Sequence, residues 1–341
     1  MIKLEYIWLD GYTPEPNLRS KVKILSKEDS ITLSDCPEWS FDGSSTKQAE
    51  GHYSDRILKP VALYQNSMDE GSYVSYFVLC EVMNPDGTPH ESNIRHILPD
   101  YDSVWYGFEQ EYTILKDGRP IGFPINGFPP PQGKYYCGVG DGQVSGRKFV
   151  DEHLQICLNT GLSITGTNAE VLLGQWEYQI FNTSSKSAAD DLWISRYILQ
   201  RLSEKWGYKI EFHPKPVMGD WNGSGLHCNF SNHIMREIGG MEYFSKIFNV
   251  FESRHTLHIE NYGSSNEQRL TGKHETQSIH KFSWGVSDRG ASLRVPIQTS
   301  LNWKGYIEDR RPASNADPYK IVKVISDALK QIDGELKVGK L

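Results

Sequence analysis

The 341-residue chain has only five cysteines, Cys36, Cys80, Cys137, Cys157 and Cys228, with no Cys-x-x-Cys pair among them. An odd, scattered set argues against a disulfide framework and reads as reduced thiols in a cytoplasmic protein. No hydrophobic run approaches the length of a membrane span, and residues 1–10 alternate polar and apolar side chains without the apolar core of a signal peptide. Positive charge is in deficit: 36 Lys and Arg against 43 Asp and Glu leave a net charge of −7. Neither nucleic acid nor an anionic membrane is therefore expected as a partner, although a few placed arginines could still hold a small anion. A Walker A loop is missing as well. Gly127-x₅-Gly133-Lys134-Tyr135 fails on spacing and on its last residue, and Gly138-Val-Gly140-Asp-Gly142 lacks the third glycine of a dinucleotide fingerprint. Any nucleotide is held by another scheme.

The length points to two domains. Residues 1–100 form a strand-rich unit with strands expected over 2–9, 21–25 and 74–83, and the turn-rich stretch Asn84-Pro-Asp-Gly-Thr-Pro89 marks a boundary. The division falls as 1–85 and 86–341. Beyond it, Gly and Pro crowd residues 118–142, which read as a long ordered loop. Helical periodicity is expected over 149–158, closed by Gly161, and over 188–206 and 241–259. A last helix opens with Asp317 as N-cap and Pro318 at its first position and stops at Gly334.

The chemistry is carried by strands. Residues 104–115 read as one strand, so Glu109 and Glu111 share a face while Phe108, Tyr112 and Ile114 point into a core. Two such carboxylates repel unless something positive sits by them, and a divalent cation is the usual answer. The same arrangement recurs. Glu177 faces away from Trp176 and Tyr178, and the short 172–174 link is a hairpin that could bring Glu170 beside it. His227, Asn229 and Ser231 alternate with Leu226, Cys228 and Phe230, and Glu308 shares a face with Arg310. Each pattern alone is an ordinary half-exposed strand. Five together supply five Glu and one His, a hard-ligand set suited to Mg²⁺ or Mn²⁺ and large enough for two ions. Paired ions serve phosphoryl transfer, which also needs guanidinium groups such as Arg289, Arg294 and Arg310. The polar stretch 261–276 is either a surface loop or a lid carrying Arg269 and Glu275 over the site.

Seven motifs in order, Trp39-x-Phe-Asp42-Gly-Ser-Ser45-Thr46, Phe108-Glu-Gln-Glu111-Tyr, Asn168-Ala-Glu170-Val, Gln175-Trp-Glu177, Trp221-Asn-Gly-Ser-Gly-x-His227, Arg269-Leu-Thr-Gly-x-His-Glu275 and Glu308-Asp-Arg-Arg-Pro312, resemble type II glutamine synthetases. Lys273 and Asp220 resemble the bacterial branch. The resemblance implies an α+β fold, with a small N-terminal β-grasp domain and a larger catalytic domain whose curved antiparallel sheet is flanked by helices. It implies a cytoplasmic homo-oligomer, a decamer of two pentameric rings with active sites at subunit boundaries. The implied reaction is ATP-dependent ligation of ammonium to L-glutamate through γ-glutamyl phosphate. By the same resemblance Glu111, Glu170 and Glu177 hold one metal, and Glu109, His227 and Glu308 hold the other. Asn222, Gly223, Arg269, Arg310, Glu111 and Ser45 would contact substrate, Asn229, Ser231 and Arg294 would meet ATP, and Arg289 the phosphoryl group in flight. Asp42 would attract ammonium and take its proton, with Glu275 closing the lid over a water-sensitive acyl phosphate. Two alternatives stay open: a ligase of this fold using another small amine, and a relative that lost turnover.

Overall fold

The computed structural model describes residues 1–26, 30–69, 71, 73–98 and 103–338. Five strands, β1 (Ile2–Leu9), β2 (Leu18–Leu25), β3 (Trp39–Asp42), β4 (Asp55–Gln65) and β5 (Val74–Met83), form one sheet in the order β2-β1-β5-β4-β3. The central pair β1 and β5 is parallel and its neighbours antiparallel. Alternation along β1 explains how this sheet is anchored. Ile2, Leu4, Tyr6 and Trp8 fill a local core with Phe41, Leu58 and Val82. Ile7 turns the other way and joins Phe77 and Leu79 in the main core of the chain.

The second sheet has nine strands among the described residues: β6 (Trp105–Lys116), β7 (Arg119–Pro120), β8 (Ile164–Ala169), β9 (Gln175–Asn182), β10 (Lys209–Glu211), β11 (Leu226–Ser231), β12 (Trp284–Val286), β13 (Leu293–Val295) and β14 (Ile307–Asp309). Its order is β12-β13-β14-β11-β6-β9-β8, with β7 and β10 also pairing with β6. All pairings are antiparallel except β12 with β13. Among the described residues six α-helices accompany it: α1 (Arg147–Thr160), α2 (Ser185–Trp206), α3 (Met241–Ser253), α4 (His255–Glu260), α5 (Ile297–Asn302) and α6 (Pro318–Val338). One face of the sheet supplies Phe108, Tyr112, Trp176, Tyr178, Leu226, Phe230, Leu293 and Ile307 to a core shared with α2, α3 and α6. The other face carries the polar residues that matter below. Among the described residues, no helix is long and apolar enough to cross a membrane.

Two helix boundaries differ from the sequence reading. The stretch 241–259 is two helices, broken at Arg254. The second is aimed so that His255 Nδ1 and His258 Nδ1 accept from the buried Arg311 guanidinium at 3.1 and 2.9 Å. Apolar periodicity carries no trace of that demand. The last helix passes through Gly334 and ends at Val338; an exposed glycine near a helix end costs only about 1 kcal/mol. Asp317 does sit before α6, with Oδ1 accepting from the Tyr319 amide at 2.9 Å.

Candidate active site

Cross-strand register assembles the site. On the polar face Glu109 stands opposite His227, and Glu111 stands opposite Glu177. Glu308 stands opposite Asn229 on one side and Arg294 on the other. The β8–β9 hairpin turns at Gly174, whose φ of +88° and close approach to the Ile121 carbonyl leave no room for a side chain. Glu170, just past β8, is thereby set in the same cavity. That cavity, of about 390 Å³, is lined by all five of these glutamates together with His227, Arg269, Glu275, Arg289, Arg294 and Arg310.

Glu109, His227 and Glu308 each bring a ligand atom within 4.8 Å of the others. His227 Nδ1 lies 3.2 Å from Glu109 Oε2 and 3.3 Å from Glu308 Oε1. Arg269 can only donate, so at 2.9 Å its Nη2 requires His227 Nε2 to accept, leaving the imidazole proton on Nδ1 between two carboxylates. The donor set fits a hard divalent cation, and such a cation would replace that proton. Glu111, Glu170 and Glu177 line the same cavity without closing into a comparable cluster. Each is held by neutral donors: Glu111 Oε2 accepts from the Gly225 amide at 2.8 Å, Glu170 Oε1 from Asn168 at 2.8 Å and Glu177 Oε1 from Gln179 at 2.6 Å. Arginines stand among these acids. Arg294 and Arg310 reach Glu308 at 2.9 and 2.6 Å, and Arg289 reaches Glu275 at 2.8 Å.

The structure gathers nearly every residue singled out above. Glu109, Glu111, Glu170, Glu177, His227, Glu308, Asn222, Gly223, Arg269, Glu275, Arg289, Arg294 and Arg310 all line one cavity. Asn229 and Ser231 line an adjoining one of about 480 Å³, which shares Glu109 and Gln179 with the first. Asp42 and Ser45 line neither. Asp42 is exposed, its carboxylate accepting from the Ser44 hydroxyl and amide at 2.7 and 3.0 Å, and these bonds hold its pKa below the usual carboxylate range. The lid reading needs correction at Arg269. The residue is 5 % exposed and its guanidinium is bonded to His227 and to the Arg310 carbonyl, so it belongs to the floor. Glu275 and His274 remain at the rim, both with left-handed φ. The second cavity held residues that the sequence did not announce: Trp105, Phe181, Arg236 and Tyr306. Arg236 lies 3.9 Å over the Trp105 ring. It comes from a single π-helical turn over 234–238, too short for periodicity to mark a side chain for a site.

Burial shapes the electrostatics. It pushes Glu111 up to about 7, against the pull of Arg269. Burial and the neighbouring Glu111 raise Glu170 to about 8, and burial with Glu109, Glu111 and Glu170 raises Glu177 to about 9. Burial likewise holds His227 neutral, well below its ordinary value. Carboxylates with raised pKa values weaken the cation-free fold increasingly as pH climbs from about 4.5, where the unfolded groups ionise, to about 9. A cation binding the ionised forms relieves this. We therefore expect the thermal stabilisation by added Mn²⁺ to grow from pH 6 to pH 8.5, measured by scanning calorimetry. A pH-independent stabilisation would mean that these carboxylates do not meet the ion.

Comparison with known proteins agrees with the geometry. Residues 1–85 match the family model described as glutamine synthetase, β-grasp domain, and residues 98–239 the one described as glutamine synthetase, catalytic domain. The chain is 54 % identical over 340 residues to a glutamine synthetase of Bradyrhizobium diazoefficiens, covering 98 % of each chain. It is 47 % identical over 332 residues to that of Yarrowia lipolytica, covering 95 % of this chain and 90 % of the relative. A cryo-EM structure of Plasmodium falciparum glutamine synthetase shares the fold, with a TM-score of 0.75 over 96 % of this chain and 72 % of that one at 19 % identity. With both domains matched and close relatives aligned along nearly its full length, the chain belongs to the glutamine synthetase family.

Proposed function

We propose a division of labour within the cavity, carried by one observation: two glutamate groups and four arginines converge on a single pocket next to a second, more apolar one. As a glutamine synthetase the chain joins ammonia to the γ-carboxylate of L-glutamate at the expense of ATP, giving glutamine, ADP and phosphate. Glu109, His227 and Glu308 would hold one Mg²⁺ or Mn²⁺, and Glu111, Glu170 and Glu177 a second. When bound, such ions neutralise and bridge phosphate oxygens. The division of the chain at residues 85 and 86 is supported by the two sheets and by the extents of the family matches. The five free cysteines fit a cytoplasmic setting.

The residues around the ions do the rest. Asn229, Ser231 and Arg294 grip ATP, with its base in the adjoining cavity against Trp105, Phe181, Arg236 and Tyr306. Asn222, Gly223, Arg269 and Arg310 orient glutamate, with Ser45 contributing from the N-terminal domain. A γ-carboxylate oxygen attacks the γ-phosphorus and the bond to ADP breaks. Arg289 and Arg310 stabilise the charge spread over the transferring group. Ammonia then attacks the acyl carbon and phosphate leaves. Asp42, held ionised, first attracts ammonium. Taking the ammonium proton is favoured once a closed site buries it, because burial raises a carboxylate's proton affinity. Glu275 at the rim shields the acyl phosphate from water.

The ligase reading is tested by supplying glutamate, ATP and Mg²⁺ with ammonium or a series of small amines. Ammonium should give ADP, phosphate and glutamine in equal amounts and the highest kcat/KM; a small amine used in preference, or ADP release indifferent to glutamate, would overturn it.

Asp42 lies outside its own chain's cavity, so the second expectation concerns assembly. The chain works as a decamer of two pentameric rings in which Asp42 completes the neighbour's site, an arrangement that a head-to-tail ring interface repeats at every boundary. Asp42→Ala and Glu308→Ala should each be nearly inactive. Co-refolded in equal amounts, they should regain about a quarter of wild-type sites by random pairing around such a ring. Hybrid oligomers of normal size with no regained synthesis would show that each subunit uses its own Asp42.

A further inference from the structure

Between the two ligand-bearing positions on β6 lies Gln110, whose side chain points to the opposite face and is fully buried. It meets Arg196, from the middle of α2. Arg196 Nε donates to Gln110 Oε1 at 2.8 Å, and Nη2 donates to the carbonyls of Ser314 and Ala316 at 2.9 and 3.0 Å. Gln110 Nε2 in turn donates to the Glu111 carbonyl at 2.8 Å and to the Ser314 carbonyl and hydroxyl at 3.1 Å each. The Ser314 hydroxyl donates to the same Glu111 carbonyl at 2.6 Å.

Every one of these bonds from Arg196 ends on a neutral acceptor. Arg196 is 3 % exposed, its guanidinium lies over the rings of Trp193 and Phe212, and burial lowers its pKa to about 10. Asp317 acts on it through space without a hydrogen bond to it; burying a cation with no carboxylate bonded to it is costly, and a well-packed apolar side chain would serve stability at least as well. What an apolar residue could not do is tie two backbone segments together. One segment is Glu109-Gln110-Glu111, and the other is the stretch just after Glu308 and Arg310. On the cavity face of those segments Glu111 stands opposite Glu177, and once both are ionised to hold a cation they repel across their strands. We propose that Arg196, acting through Gln110 and Ser314, is a positioning residue that fixes Glu109 and Glu111 relative to the Glu308–Arg310 strand, so that the cation sites keep their geometry. The planar fork is what makes this clamp, since one guanidinium fixes three acceptors at set angles and an ammonium does not.

This inference rests on the cation assignment above, and direct metal binding separates the two. Mn²⁺ binding to the intact oligomer is measured by paramagnetic resonance of the free ion, alongside kcat and the Mn²⁺ concentration for half-maximal activity. Wild type that binds no Mn²⁺ would remove the assignment itself. Given wild-type binding, Gln110→Met and Arg196→Lys should weaken Mn²⁺ affinity by about tenfold, the scale seen when residues behind a metal ligand are lost. Ser314→Ala, which removes one hydroxyl, should do so by a smaller factor. Turnover at saturating Mn²⁺ should recover in all three. Tyr106→Phe serves as a control on the same strand, losing the buried bond to Ser326 (2.7 Å) and some thermal stability while leaving Mn²⁺ affinity unchanged. If Gln110→Met does not fold, Ser314→Ala carries the test. Folded variants with wild-type affinity would overturn the proposal, as would an equal loss in Tyr106→Phe, which would reduce the clamp to plain stability.

Discussion

Repulsion between carboxylates on one face of a sheet is the constraint to which the rest of the structure responds. Glu111 and Glu177 stand directly across from each other, and Glu170 is folded in beside them by a tight hairpin. In an open sheet such a pair would be selected against. Here several neighbours lower the cost. Backbone and side-chain amides donate to the inner glutamates, four arginines line the same cavity, and burial raises the proton affinity of the glutamates. A site so arranged is unfavourable alone and becomes favourable when multiply charged ions and phosphates enter. That difference is what a phosphoryl-transfer centre needs.

The opposite face of the same strands explains how the molecule tolerates this. Phe108, Tyr112, Trp176 and Tyr178 are sealed against the helices, which fixes the sheet's position. Polar bonds among Arg196, Gln110 and Ser314 then fix the strands along their length, a task that apolar contacts perform poorly because they are not directional. A second buried set, Asp309 and Arg311 with Tyr262, plays a like part beneath β14, with Arg311 Nη2 to Asp309 Oδ2 at 2.6 Å and Tyr262 to Asp309 at 2.7 Å. Alternation along one short strand thus separates tasks cleanly: Glu308 and Arg310 face the cavity, and Asp309 and Arg311 the interior.

Period-two patterning is strict, so the strands that build the site are legible in the sequence alone. Glu109 against Phe108, Glu177 against Trp176 and His227 against Leu226 can each occupy only one arrangement of faces once one face is apolar. Short edge elements such as β3 and β12 were not legible, because three or four residues carry too little pattern. The break at Arg254 follows from the tertiary demand of Arg311 on His255 and His258, which lies some fifty residues away in the chain. Arg269 looked like part of a mobile loop because its neighbours are polar. It is buried because His227 and two backbone carbonyls give its guanidinium acceptors. The apolar cavity holding Trp105 and Arg236 was invisible for a different reason: its lining comes from six separate segments, and Trp105, Phe181, Arg236 and Tyr306 lie outside every motif.

The central claim is that two separate cations resolve the repulsion. Anomalous scattering at the manganese edge, from crystals of the protein grown with Mn²⁺ and a non-hydrolysable ATP analogue, tests it most directly. The account predicts two peaks per chain, one among Glu109, His227 and Glu308 and one among Glu111, Glu170 and Glu177. A single peak, or density away from both groups, would contradict it.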